Sequence, residues 1–128
     1  MTKAMFDLAN DSASQSLIRE FYESNKVVSA LCHGPAALVN VKLSNGAYLV
    51  SNQEVTGLSD AEEEAMQFTK DMPFLLESEL RSRGAKYESA EGLFEAKVVV
   101  GGERGNLVTG QNPSSAAVIG ETLLKIMV

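Results

Sequence analysis

Apolar positions recur along the chain in two alternating rhythms. Leu17, Ile18 and Phe21 share one side of a 3.6-residue repeat, which predicts a helix over residues 14–23. Residues 27–31, Val-Val-Ser-Ala-Leu, form a short, β-branched, largely apolar run, the pattern of a buried parallel strand. Pro35 suits the first turn of a helix, where its missing N–H costs nothing, so a helix is expected from Pro35 to about Val41. Asn45-Gly46 marks a turn, and short strands are expected over 47–50 and 54–57. Ser59-Asp60 ahead of Glu62, Glu63 and Glu64 reads as a helix start, with Asp60 and Glu63 at capping-box spacing.

A further helix is predicted to enter at Asp71-Met72-Pro73. It carries Phe74, Leu75, Leu76 and Leu80 on its apolar side and closes at Gly84. Residues 86–89 read as a strand. Residues 98–100 and 107–109 flank Gly-Gly-Glu-Arg-Gly-Asn, which predicts a hairpin. Asn112-Pro113-Ser114 opens the last helix, with Asn112 as its cap and Ala117, Ile119, Leu123, Leu124 and Met127 on its buried side. Strand and helix alternate, the signature of an α/β fold. There is no linker, repeat or low-complexity segment, so residues 1–128 read as one domain.

Composition narrows the function classes. The chain has 128 residues, 45% apolar and 22% charged, with a net charge of -6. That balance argues against a nucleic-acid surface or an anionic membrane as partner, since both need a clustered basic face. One cysteine cannot form an internal disulfide, and the start, Met-Thr-Lys-Ala-Met-Phe-Asp, lacks the features of a secretory or transit peptide. A reducing, cytoplasmic setting is the expectation.

The only cysteine, Cys32, adjoins the only histidine, His33, where a strand turns into a helix. In open α/β sheets that edge is where ligands bind, and the same strand–nucleophile–helix turn presents the serine of many hydrolases. The helix N-terminus there predicts a lowered thiol pKa at Cys32. The amides of His33 and Gly34 are candidate oxyanion donors, and Gly34 admits close backbone approach. A structural reading stands beside this one, because free cysteines are among the most buried residues. Neighbours on a regular strand also face opposite ways, so a Cys32–His33 dyad needs an irregular turn. Glu62 and Glu64 read as solvated residues of a helix start. No Cys/His cluster for zinc, calcium loop or phosphate-binding glycine spacing occurs, so no metal or cofactor is expected.

Four blocks in order resemble the DJ-1/PfpI superfamily: Ala-Met-Phe-Asp-Leu-Ala-Asn-Asp at 4–11, Cys-His-Gly-Pro-Ala-Ala-Leu at 32–38, Val-Thr-Gly-Leu-Ser-Asp-Ala-Glu-Glu-Glu at 55–64, and Leu-Val-Thr-Gly-Gln-Asn-Pro-Ser-Ser-Ala at 107–116. Within it the chain resembles the Hsp31-type glutathione-independent glyoxalases (glyoxalase III, or D-lactate dehydratase). The resemblance implies a flavodoxin-like, class I glutamine amidotransferase-like three-layer sandwich. It implies a triad of Cys32, His33 and Glu63, and conversion of a small 2-oxoaldehyde, methylglyoxal, to D-lactate without glutathione or metal. Stress-response and holdase chaperone activities accompany that family.

The resemblance spans the C-terminal half of the family's fold. It places a glutamate that contacts the cysteine, and a glycine-rich oxyanion loop, in the half before it. The chain therefore reads as N-terminally truncated and catalytically impaired, with residues 27–31 left as an open sheet edge. A fragment that binds partners or forms a homodimer through that edge is the alternative. An amidotransferase-type glutaminase ranks lower, because no histidine follows His33.

Overall fold

The run at 27–31 does become a strand, β1 (Val28–Leu31), and its surroundings set the architecture of the computed structural model, which describes residues 3–128. Met1 and Thr2, part of the stretch weighed above as a leader, lie outside the described residues. Helix α1 (Lys3–Phe6) and a 3-10 turn at Leu8–Asn10 lead into α2 (Ser12–Glu23), whose first turn is capped by the Asp11 carboxylate accepting from Ser14 N–H. Strands β2 (Glu54–Val55) and β3 (Lys86–Tyr87) flank helices α3 (Asp60–Ala65) and α4 (Leu76–Ser82). The predicted hairpin forms as β4 (Val98–Gly101) and β5 (Leu107–Gly110), and α5 (Ala116–Met127) ends the chain.

The main sheet has the order β1-β5-β4. β1 runs parallel to β5, with Val28 opposite Leu107 and Leu31 opposite Gly110, whereas β4 and β5 are antiparallel. β2 and β3 form a separate parallel pair. Among the described residues β1 pairs only with β5, so its other edge is open. Beside that edge, Leu17, Ile18 and Phe21 of α2 border a shallow groove with Val27, Val28 and Ser29. The helical face predicted around Leu17 and Phe21 is thus largely exposed. The core gathers Met5, Leu38, Val41, Leu49, Val50, Leu76, Leu80 and Leu107, which are buried together.

Several local expectations are corrected. After Cys32 the chain forms a 3-10 helix, Gly34–Leu38, instead of a helix reaching Val41. Residues 47–50 make no strand; only a single bridge joins Lys42 and Tyr48. The helix expected from Pro73 begins at Leu76, with a 3-10 turn at Thr69–Asp71 before it. Proline at 73 biases Met72 to extended backbone, which delays the start. Gly84 does close α4, at φ 87°. In α5 only Ile119 of the expected apolar side is buried; Ala117, Leu124 and Met127 are exposed.

Candidate active site

The turn at Cys32 is irregular in the way a dyad requires. Its φ is 63°, the left-handed region that disfavours a residue with a Cβ, and the fold holds it there from both sides. Cys32 N–H donates to Gly110 O at 3.0 Å, and Cys32 O accepts from Leu58 N–H at 2.9 Å. One bond extends the β1–β5 ladder by a residue. The other fastens the turn to the segment that enters α3.

That segment brings the third residue. His33 Nε2 and Glu63 Oε2 lie 2.7 Å apart, with both side chains buried. A carboxylate can only accept, so with Glu63 ionised Nε2 carries the proton. Nδ1 is then the free lone pair, and it is buried without a partner, as is Glu63 Oε1. The three residues named from sequence are therefore drawn together: Cys32 and His33 by adjacency, Glu63 by the hydrogen bond.

The thiol itself contradicts the expectation of a lowered pKa. Cys32 is only 2% exposed, and burial pushes its pKa up from 9.0 to about 11. The His33 backbone N–H opposes this, while the charges of Glu62 and Glu63 add to it. The short 3-10 turn after Cys32, with two carboxylates behind it, does not outweigh desolvation. Gly34 starts that turn, so its N–H belongs to the first-turn donors that have no acceptor within the helix. A Cβ at Gly34 would meet only Ala30 Cβ, at an ordinary 3.5 Å. The fold itself therefore leaves room for a side chain there.

Glu62 is the residue that pattern reading misjudged. It is not solvated but 0% exposed, and it forms the capping box with Ser59 that was expected between Asp60 and Glu63. Its Oε1 accepts from Ser59 N–H and Oγ–H and from Gln111 Nε2 (3.0, 3.0 and 2.8 Å). Its Oε2 accepts from Phe94 N–H and Asn112 Nδ2, both at 2.9 Å. Burial alone would raise the Glu62 pKa, but the bonds from Ser59, Asn112, Gln111 and Phe94 outweigh it and hold the carboxyl below its ordinary value. Asn112, expected as a cap, spends its amide on Glu62 and on Glu95 O instead. The one sequence signal for Glu62 was Ser59 three residues before it. Glu64 is exposed, as expected. Among the described residues no group of three or more His, Cys, Asp or Glu is placed to hold a metal ion, and no helix is long and apolar enough to cross a membrane.

An α/β sheet with helices, and a left-handed cysteine at the carboxyl end of a parallel strand, define the class. The DJ-1/PfpI family model matches residues 3–126, and the chain belongs to that family, with its flavodoxin-like fold. It is 30% identical to Glyoxalase 3 of Candida albicans over 125 residues, 94% of this chain and 52% of that protein. It is 32% identical over 136 residues to the glutathione-independent glyoxalase hsp3102 of Schizosaccharomyces pombe, covering 97% and 53%. Among solved structures, the Rapid Encystment Protein of Francisella tularensis superposes with a TM-score of 0.87 at 38% identity, covering 93% of this chain and 51% of that one. The chain spans about half the length of the curated relatives it matches.

Proposed function

We propose that the chain carries the cysteine, histidine and acid of a glutathione-independent glyoxalase site. The observation that carries this reading is the buried 2.7 Å His33–Glu63 bond beside a left-handed Cys32. The names of the similar fungal proteins support the substrate class, a 2-oxoaldehyde such as methylglyoxal.

Because the thiol pKa is raised, attack needs a base at the moment of reaction. His33 Nδ1 takes that part: it receives the thiol proton as sulfur adds to the aldehyde carbon, giving a hemithioacetal. Glu63 stabilises the imidazolium that forms. The amides of His33 and Gly34 serve the developing oxyanion. A proton then leaves the former aldehyde carbon and returns to the neighbouring carbon. The first carbon is oxidised to a thioester as the second is reduced to an alcohol, so no external oxidant enters. Water releases the acid and restores the thiol. By resemblance, a further carboxylate contacting the cysteine belongs to the part of the family's fold that this chain does not match, so turnover by the 128 residues alone should be slow.

The test is D-lactate production from methylglyoxal by the purified chain, with Cys32→Ala beside it. Turnover that vanishes in the variant supports the reading, and equal rates in both would sink it. A second reading rests on the open edge of β1 and the exposed Leu17 and Phe21 next to it: a binding or dimerising module. For that reading, light scattering should give a mass that rises with concentration while no aldehyde is consumed.

A further inference from the structure

We infer that Glu62 is the positioning residue that sets the His33–Glu63 pair against Cys32. The contacts form a closed circuit. Cys32 N–H is held by Gly110 O. Gln111 and Asn112, the next two residues of the chain, donate to the two carboxylate oxygens of Glu62. Glu62 is bonded covalently to Glu63, Glu63 to His33 by hydrogen bond, and His33 covalently to Cys32. Through Glu62 the residues that follow β5, the strand that grips the nucleophile, also grip the helix that carries the acid.

The same carboxylate fixes a third segment. Phe94 has φ 59°, a left-handed value a bulky residue avoids, and its N–H ends on Glu62 Oε2. Five donors on one buried carboxylate are more than a helix cap needs, since the Ser59 pair alone completes the capping box. The remaining three come from outside α3. They specify where the helix sits, and therefore where Glu63 points.

The inference rests on the glyoxalase reading for its kinetic consequence only. The chain's single histidine and single cysteine make two other readouts residue-specific. The variant is Glu62→Gln, which keeps the shape but turns an amide donor toward other donors. The readouts are the His33 Nε2–H resonance in a nitrogen-labelled sample and the rate of Cys32 alkylation by iodoacetamide at one fixed pH. In a folded Glu62→Gln chain the resonance should be lost or broadened. Alkylation should rise by about tenfold, as one fewer charge faces the thiol. Where the wild type turns over, kcat should fall about a hundredfold with KM changed by less than about threefold.

A folded variant with the wild-type His33 resonance overturns the inference, whatever its alkylation rate and however far its melting temperature falls. If Glu62→Gln does not fold, Gln111→Met removes one outside donor and leaves α3 intact. With the Glu62 charge kept, it should broaden the His33 resonance by less and leave the alkylation rate without the rise, and an unchanged resonance overturns the inference. A wild-type chain that makes no D-lactate removes the glyoxalase reading, while the histidine readout still decides the role of Glu62.

Discussion

Glu62 and Glu63 are adjacent, equally buried, and aimed at different tasks: Glu62 collects five hydrogen bonds from three segments, whereas Glu63 spends one oxygen on His33 Nε2 and leaves the other unpartnered. One carboxylate is saturated and the other is half free. In the proposed reaction, which passes through a transient imidazolium, the half-free carboxylate is the one that responds to a change of charge.

That contrast gives the first prediction. Glu63→Gln should lower Cys32-dependent turnover by about two to four orders of magnitude, since the amide cannot compensate the charged imidazole. Its unfolding free energy should change far less than that of Glu62→Gln, in which the amide nitrogen faces at least two donors that the carboxylate oxygen accepted from. Paired activity and denaturation curves check both statements.

The backbone at residue 32 gives a second. Cys32→Gly should be more stable than Cys32→Ala by about 1–2 kcal/mol, although glycine buries less, because only glycine adopts φ near 63° without cost. Urea unfolding of the two variants measures the difference. If alanine proves the more stable, the turn is not strained.

The raised thiol pKa makes a pH-dependent claim. Alkylation of Cys32 should be slow at neutral pH and climb toward a midpoint of about 11. For stability the sign is set by where the proton stays. Below the ordinary value of 9.0 both folded and unfolded chains keep it. Between 9.0 and about 11 only the folded chain does, so this contribution is lost as pH rises through that window. The stability of the wild type relative to Cys32→Ser should therefore decline across that window.

Gly34 separates fold from chemistry. Because a Cβ there meets only Ala30 at 3.5 Å, Gly34→Ala should melt within about 1 kcal/mol of the wild type. Its D-lactate turnover should nevertheless fall, since the methyl group enters the space from which a substrate reaches the Gly34 amide. Equal turnover would remove Gly34 from the oxyanion role.

The sequence made β1, the β4–β5 hairpin and α2 legible because each rests on a local cause: a β-branched run, a glycine-rich turn, a regular apolar repeat. Cys32, His33 and Glu63 were legible through motif resemblance, and their meeting follows from one long-range hydrogen bond. The thiol pKa was misread because helix-terminus logic is local, whereas desolvation depends on everything packed around Sγ. Glu62 was misread for a related reason. In a run of three glutamates nothing local distinguishes the one that faces Gln111 and Asn112, residues about fifty positions away. The buried side of α5 failed because an apolar stripe predicts a face and not whether anything covers it.

Among the described residues strand β1 is laddered on one side only, and its amides should report that with hydrogen exchange. In a parallel pair alternate N–H groups point to the same neighbour. Val28 and Cys32 donate toward β5, to Asn106 O and Gly110 O, so their amides should exchange slowly. Ser29 and Leu31, between them, face the open edge and should exchange far faster. A fast–slow alternation along four residues would show the strand that leads to Cys32 opening to water from one flank, and its disappearance would mark the moment another strand docks there.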